Sequence, residues 1–318
     1  MQVQKKIALE IVQYVKQAFN GVLKNLDWMD EVTQRTALDK VKSVKEYIGY
    51  CNELLDNKKL KQLYNKLEIK PENYLQSHLN LNRFELDIHS RRLHETVNKS
   101  DWASYVNSFA PDANYNPQTN SIVFSAGILQ ELIFNIDRPY YMNFGIFGSM
   151  IGRELSHTID ETGNNFDKNG IVSDWWASKT KQLFSRKSKC IINQYENYTL
   201  TELGKKVNGE RTKDENIADN AGVKEAYLAY KSWVKSNKKE LKLPGIDYTP
   251  TQLFWISYAM QWCTAYKTGT QKAIVNNDTH PLYEFKVLGS LSNSEHFSDD
   301  FNCPTSARMN PVKKCSIW

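Results

Sequence analysis

Glu154 and His157, two residues suited to zinc-protease chemistry, are three apart in the stretch I-G-R-E-L-S-H-T-I-D. In the motif H-E-x-x-H, a helix presents two histidines on one face to bind zinc, and the glutamate between them acts as a general base. Here the first histidine position is occupied by Arg153. Arginine stays protonated at physiological pH and has no lone pair to offer a metal, so Arg153 cannot be a zinc ligand. The stretch is therefore a zinc motif that lacks its first ligand.

A second pair of acidic residues strengthens the zinc interpretation. Short matches such as E-x-x-H also arise by chance, and a surface glutamate near a buried histidine is the commoner explanation. However, the later stretch D-E-N-I-A-D-N-A-G places Glu215 and Asp219 four apart, and so on one face of a helix. A carboxylate from a second helix is a usual third zinc ligand, and an acid one turn further on can orient a histidine. Glu215 and Asp219 are the candidates for these two roles.

With these motifs the chain resembles the C-terminal part of the neprilysin and endothelin-converting-enzyme family of zinc metalloendopeptidases. The resemblance runs nearly from end to end and implies an α+β fold, predominantly α-helical with a small β-sheet, of the thermolysin-like (gluzincin) kind. Its motifs are D-W-M-D at 27–30, I-G-Y at 48–50, A-N-Y-N-P-Q-T-N-S-I-V-F-S-A-G-I-L-Q at 113–130, N-F at 165–166, D-W-W at 174–176, E-N-I-A-D-N-A-G at 215–222, L-P-G at 243–245, Q-W-C at 261–263, M-N-P at 309–311 and C-S-I-W at 315–318.

The resemblance assigns roles to the acidic and histidine residues of both motifs. It implies that Glu154 is the general base, and that His157 and Glu215 are the second and third zinc ligands. It makes Asp160 the hydrogen-bond partner of His157. Asp219 corresponds to the catalytic-site acid that would orient the first histidine, whose position holds an arginine here.

The resemblance also assigns residues that contact substrate, and three of them depart from the family pattern. His280, in D-T-H-P, matches the histidine that stabilises an oxyanion, although a structural histidine in a turn is the alternative. Asp112, next to Ala113 in the substrate-binding segment, replaces an asparagine, so a donor amide becomes an acceptor-only carboxylate. Asn114 replaces an aromatic residue. Lys286 replaces an arginine that binds a substrate carbonyl, and lysine lacks the planar fork of arginine.

The family cofactor is zinc, and we expect its binding here to be lost or strongly weakened. Losing one of three ligands should lower the zinc affinity far more than the roughly 10–100-fold that is typical of losing a supporting hydrogen bond. We also expect the guanidinium of Arg153 to take the place of the metal. In that position it would form ion pairs with Glu215 and Asp219 and neutralise these acids without zinc.

These features favour a neprilysin-like metallopeptidase homologue that is catalytically inactive or severely impaired, and that acts by binding a peptide or a protein. One alternative is an active zinc metalloendopeptidase that cleaves short peptides on the amino side of hydrophobic residues, as the family does. The other is a non-functional fragment of a longer ectodomain. The composition is globular, with 41% hydrophobic and 24% charged residues, and no basic patch interleaved with aromatics indicates nucleic-acid binding.

The resemblance also bears on location and on the five cysteines. It implies a disulfide between Cys190 and Cys315, and an extracellular or secretory-pathway location. The cysteines whose pairing stays open are Cys51, Cys263 and Cys303. The N-x-[ST] sequons, which fit a glycosylated secretory protein, are at Asn98, Asn197 and Asn277. No apolar run approaches the roughly 20 residues of a membrane span, and the first residues lack a signal-peptide pattern. We therefore expect no membrane segment in this chain, and either a missing N-terminal portion or a partner chain.

Hydrophobic periodicity and turn residues predict the elements that position these residues. We expect a helical region over 1–100 and a peptidase domain over 101–318. The predicted helices are 3–26, 31–44, 58–69, 72–97, 174–190, 215–235 and 250–266, and Asp174 is the expected N-cap of the helix 174–190. A further helix, opened by Arg138-Pro139, is expected to carry Glu154 and His157. Residues 120–124 are predicted as a strand, and 280–318 as mixed and irregular. In the family, the segment 110–126 provides the edge strand along which a substrate peptide lies.

Overall fold

The computed structural model describes residues 2–99, 101, 110–237 and 239–318, and these are mainly helical with a small sheet. The helices are α1 (Gln2–Lys24), α2 (Glu31–Lys42), α3 (Asn57–Leu63), α4 (Tyr74–Arg92), α5 (Tyr140–Asn143), α6 (Ser149–Ser156), α7 (Ser178–Glu196), α8 (Lys213–Ser236), α9 (Pro250–Met260), α10 (Thr268–Asn277), α11 (Tyr283–Asn293) and α12 (Glu295–Asp300). The strands are β1 (Lys45–Gly49), β2 (Ala113–Asn116), β3 (Ser121–Ser125), β4 (Thr199–Leu200) and β5 (Lys205–Lys206).

Helix α8 is the centre of the fold, because α1, α6, α7 and α11 all pack against it. Its buried residues extend from Asn216 to Trp233 and lie on most of its circumference, which is typical of a helix inside a core. Helix α1 contributes a stripe of buried side chains at helical spacing: Ile11, Val15, Phe19 and Leu23. The packing of α1 on α8 therefore ties the N-terminal helix to the helix that carries Glu215.

Two glycines let α6 and α8 approach each other closely. A Cβ atom on Gly152 would lie 2.7 Å from Gly222 Cα, and one on Gly222 would lie 2.6 Å from Arg153 N. Both distances are too short for a side chain, so the helix backbones are in direct contact here. The contact brings Arg153 on α6 next to Glu215 and Asp219 on α8.

A three-stranded sheet with the order β1-β3-β2 lies beside α6. Strand β1 is parallel to β3, whereas β2 is antiparallel to β3 with Ala113 opposite Phe124. Strand β2 is thus an edge strand, and no other strand of the described residues pairs with its outer side. The resemblance implies that a substrate peptide lies along this edge, which belongs to the segment 110–126.

The long periodic helices are confirmed, as is the predicted strand within one residue. Helix α2 begins where expected, with Asp30 as an N-cap that accepts a hydrogen bond from Thr33 N at 3.0 Å. A π turn at Phe144–Gly148 joins α5 to α6, so the helix opened by Pro139 continues to Ser156. Helices α3 and α4 are shorter than predicted and lie on the outside as expected, since α4 buries only Phe84.

The prediction that Asp174 caps a helix is wrong. Helix α7 begins four residues later, after Ala177, whose backbone is extended, and the Asp174 carboxylate instead pairs with Lys181. The physical reason is the burial of Trp176 against the rings of Trp28 and Phe184, which holds the segment before α7 in an extended form.

Two further predictions need correction, and one element was not predicted. Helix α9 ends at Met260, not at residue 266, because Trp262 and Tyr266 leave the helix to pack on Tyr283. The segment 280–318 is not irregular throughout, since it contains α11 and α12. Strand β1 was not predicted, because its pairing with β3 is non-local. Residues 100 and 102–109, at the expected domain boundary, lie outside the described residues, and the division stays a prediction.

Cys190 and Cys315 form the disulfide that the resemblance implies, and this bond does not involve Cys51, Cys263 or Cys303. The bond ties α7 to the segment after α12. Across the described part of the chain, no helix has the length and apolar character needed to cross a membrane.

Glu225 on α8 is a buried acid without a partner, and it gives a prediction about stability. Its side chain is 1% exposed, and neither carboxylate oxygen has a hydrogen-bond donor among the described residues. Burial raises the pKa of Glu225, so the folded state favours the protonated form. That preference stabilises the fold fully below the ordinary pKa of 4.5 and is lost as the pH rises towards the folded-state pKa.

We therefore expect Glu225→Met, an apolar replacement of similar size, to increase the free energy of unfolding by about 1–3 kcal/mol above neutral pH. The gain should shrink towards pH 4.5. Urea unfolding above neutral pH and near pH 4.5 measures the gain in stability. Glu131→Met, at an exposed position, is the control. A loss of stability at both pH values would show that the carboxyl group has a partner.

Candidate metal-site remnant and peptide cleft

Arg153 is the centre of an ionic cluster formed by α6 and α8. Its side chain is 17% exposed, and its Nη1 donates to Glu154 Oε1 at 2.6 Å. Its Nη2 donates to Glu215 Oε2, and its Nε lies 3.4 Å from Asp219 Oδ1 without hydrogen-bond geometry. The expected ion pairs of Arg153 with Glu215 and Asp219 are therefore present, and Glu154 adds a third.

Glu154 is held from two sides. It is 2% exposed, and the main chain of Tyr115 on β2 forms a hydrogen bond with it opposite the guanidinium. Burial raises the pKa of Glu154, and the charges of Arg153 and His157 oppose this rise. The carboxylate of the predicted general base is thus occupied by an arginine and by the edge strand.

His157 follows α6 directly and keeps helical backbone geometry. Its Nδ1 contacts Asp160 Oδ2 at 2.7 Å, so the predicted partner is in place, and its Nε2 lies 3.9 Å from Glu215 Oε1. Burial alone would lower the pKa of His157, but the hydrogen bond and charge of Asp160 raise it to about 9. His157 therefore favours its protonated form at neutral pH, and a metal would have to displace that proton in order to bind here.

His280 reaches the cluster from the loop after α10. Its Nε2 lies 3.0 Å from Arg153 Nη2 and 3.3 Å from Glu215 Oε2, while its Nδ1 lies 2.9 Å from Asp278 Oδ1. The carboxylate of Asp278 can only accept, so Nδ1 donates its proton to Asp278. Nε2 is engaged by the ion pair between Arg153 and Glu215.

Lys286, predicted to contact substrate, is buried behind the cluster. Its side chain is 1% exposed, and its Nζ donates to Asp219 Oδ2 at 2.7 Å and lies 4.9 Å from the centre of the Trp262 ring. Asp219 thus accepts from Lys286 on one oxygen and faces Arg153 with the other. Lys286 acts through Asp219, and its ammonium has no exposed surface to offer a peptide.

The cluster forms the floor of a cleft with a volume of about 570 Å³. Asp112, Ala113 and Asn114 from the edge strand line one wall, as expected for the substrate-binding segment. Asp214, in the first turn of α8, and Arg211, just before that helix, also line the cleft. The structure therefore brings every predicted site residue except Lys286 and Asp219 to the cleft surface.

The donor set does not fit a zinc ion with three protein ligands. Glu215 pairs with Arg153, and burial, which would raise its pKa, is outweighed by the charges of Arg153 and His157, which hold the pKa at about 2. The carboxylates Glu154, Glu215 and Asp219 drive the pKa of Arg153 further above its already high value, against the effect of burial. Within the described residues, no three His, Cys, Asp or Glu side chains are arranged to hold a metal ion.

Several residues of the site were missed at the level of sequence. Asp278 binds both the main-chain N and the ring of His280, and the D-T-H spacing was the available signal. Asp214, next to Glu215, has its pKa raised to about 7 by burial and by the nearby acids Asp160 and Glu161. Lys40 on α2 has no local signal at all, yet its Nζ binds the main-chain oxygens of Gly163 and Phe166 in the loop behind His157.

Comparison with known proteins identifies this architecture as a thermolysin-like metallopeptidase fold of the gluzincin type. A crystal structure of the zinc metalloprotease of Mycobacterium tuberculosis with an inhibitor matches 99% of this chain and 47% of its own, with a TM-score of 0.86 and 26% identity. Among curated proteins, neprilysin-2 of Drosophila melanogaster is 45% identical over 314 residues, and human endothelin-converting enzyme 1 is 38% identical over 317 residues.

The family models agree with these similarities. The models of peptidase family M13 match residues 112–317 and 2–51. The chain belongs to peptidase family M13, which confirms the resemblance to the neprilysin and endothelin-converting-enzyme group. The chain spans about two-fifths of these curated relatives, covering 41% of neprilysin-2 and 40% of the human enzyme, and 99% of its own length is matched in both cases.

Proposed function

We propose that this chain is a metal-independent, peptide-binding member of family M13 that does not hydrolyse peptides. The observation that carries the proposal is the guanidinium of Arg153, which lies between Glu154 and Glu215 and forms ion pairs with both. A cation at this point repels a second cation, and both carboxylates that a zinc enzyme of this family needs are already neutralised.

Two further contacts support the absence of hydrolysis. Glu154 is held by Arg153 and Tyr115, so it is not free to accept a proton from a nucleophile. The Nε2 of His280 is engaged by Arg153 and Glu215, so it is not free to donate to an oxyanion. What the site retains is a strand edge that no other described strand covers and a cleft large enough for a short peptide segment.

Zinc content separates this proposal from the alternative of an active endopeptidase. We expect protein purified without chelator, then dialysed against zinc and against buffer, to hold far less than one zinc per chain by elemental analysis. A folded protein with one zinc per chain would contradict the proposal and would favour the active enzyme. Far-ultraviolet circular dichroism on the same sample controls for folding, which also tests the alternative of a non-functional fragment.

The location and the division of the chain are proposals as well. We propose a glycosylated protein of the extracellular space or secretory-pathway lumen, since all three sequon asparagines are exposed: Asn98, Asn197 and Asn277. We also propose that the chain divides into a helical region up to residue 100 and a peptidase domain after it. The proposal includes a missing N-terminal portion or a partner chain. Expression in a secretory host, followed by glycosidase treatment and mass measurement, tests the glycosylation.

A further inference from the structure

The cations in and behind the floor of the cleft already have partners. Arg153, in the cleft lining, donates to Glu154 and Glu215, and Lys286, buried behind it, donates to Asp219. Arg211, at the cleft wall, directs Nη1 to the main-chain oxygens of Val275 and Asn276 at the end of α10. A ligand therefore meets few free donors from charged side chains in this cleft.

Hydrogen-bond acceptors, in contrast, are in excess among the charged side chains of the cleft. The Asp112 side chain is exposed, and no described residue donates a hydrogen bond to its carboxylate. Asp214 Oδ1 is buried and no described residue donates to it, and Glu215 Oε1 lies 3.9 Å from His157 Nε2. Five acidic side chains line the cleft against three cationic groups: Asp112, Glu154, Asp160, Asp214 and Glu215 against Arg153, His157 and Arg211. The pKa of Asp214 is raised to about 7, and a cation bound beside it would favour its ionised form.

The position of Asp112 matters because it directly precedes the edge strand. Its main-chain N donates to Ala110 O at 2.8 Å and to Ser125 Oγ at 3.1 Å, and its main-chain O accepts from Ser125 N at 3.1 Å. The backbone is thus fixed, while the carboxylate is bound by none of the described residues. A peptide that pairs with β2 would carry its side chains past this carboxylate.

We propose that the cleft selects peptides with a positively charged side chain, and that the carboxylates of Asp112 and Asp214 bind the cation. The inference rests on the proposed peptide-binding function. It departs from the hydrophobic preference that the resemblance implies, because an asparagine that could donate is replaced by Asp112, which can only accept. A guanidinium brings several donors to a site that lacks them.

Short alanine peptides, acetylated and amidated so that their ends carry no charge, test this selectivity by titration calorimetry with the full chain. The central residue is arginine, its neutral isostere citrulline, leucine or glutamate. We expect the arginine peptide to bind about tenfold more tightly than the citrulline peptide, as for one charge-assisted hydrogen bond, and the glutamate peptide to bind most weakly. The preference should fall as salt is added.

Matched variants locate the cation. Asp112→Asn and Asp214→Asn should each reduce the ratio between the arginine and citrulline peptides, whereas Glu131→Gln, which removes an exposed charge away from the cleft, should leave the ratio unchanged. A ratio that is unchanged in both aspartate variants would overturn the assignment. Equal binding of the leucine and arginine peptides would overturn the selectivity and leave the peptide-binding function intact. Binding of none of the peptides would overturn both.

Discussion

Replacing Arg153 by alanine is expected to lower the free energy of unfolding by about 3–5 kcal/mol, the usual cost of removing one partner of a buried ion pair. The variant leaves Glu154 and Glu215 without their cation, and these side chains are 3% and 15% exposed. Asp219 keeps only Lys286. Urea unfolding followed by circular dichroism at neutral pH measures the change.

A matched control is available on the surface. Arg35 pairs with Glu31 one helical turn away, and both side chains are more than 70% exposed. Solvent screens this pair, so Arg35→Ala should change the stability by no more than about 1 kcal/mol. Equal or greater stability of Arg153→Ala relative to the unmodified chain would refute the role of Arg153 as the neutralising cation.

The pH dependence gives the same prediction a second, independent measurement. The pKa of Glu215 is lowered from 4.5 to about 2, so its pairing stabilises the fold fully above pH 4.5 and the contribution is lost as the pH falls to about 2. In Arg153→Ala that depression is removed. The difference in stability between the two proteins should therefore narrow between pH 4.5 and 2. A constant difference over this range would mean that the loss arises from packing and not from charge.

The parts of this site that follow from local spacing were predictable from the sequence. The i, i+4 relation places Asp219 beside Glu215 on one helix face, and both side chains meet Arg153. The pairing of Asp160 with His157, which the resemblance implies, is also present. The ion pairs of Arg153 followed from charge alone, because three buried acids without zinc need a cation. Such inferences succeed when helix geometry fixes the distance between two side chains.

Other features depend on contacts between distant parts of the chain. The burial of Lys286 could not be predicted, since it results from the packing of α11 on α8. The contact of His280 with Arg153 joins residues that are distant in sequence, and the edge position of β2 depends on the pairing of β1 with β3. Asp174 shows the converse error, in which a good local N-cap signal was overridden by the burial of Trp176.

Replacing Arg153 by histidine is expected to create zinc binding where the unmodified chain has little or none. The introduced imidazole would supply the missing ligand, and it would remove the cation that now neutralises Glu215. Loss of that positive charge frees the carboxylate for a metal, and metal binding would displace the proton of His157. Because a metal that binds only the folded state stabilises it, zinc at about a hundredfold excess over its dissociation constant should add about 2.7 kcal/mol to the free energy of unfolding.

Elemental analysis after dialysis and unfolding with and without zinc measure this gain. Arg153→Gln is the matched control, because it removes the same charge without supplying an imidazole, and it should gain no zinc-dependent stability. If both variants gained equally, loss of the positive charge alone would explain the effect. If neither gained, the loss of zinc binding would extend beyond the first ligand, and the protonated His157 would be the next residue to examine.

Peptidase activity should return only weakly in Arg153→His, because zinc does not repair the rest of the cleft. Asp112 still lacks a donor for a substrate backbone, and the ammonium of Lys286 remains buried on Asp219. The ammonium of Lys286 also competes with the introduced imidazole for Asp219, the carboxylate that would orient that imidazole. Adding Asp112→Asn and Lys286→Arg should then raise hydrolysis of a quenched fluorescent peptide well above that of the single variant. Full activity from Arg153→His alone would mean that the arginine is the only barrier to catalysis, and that the other departures leave substrate binding intact.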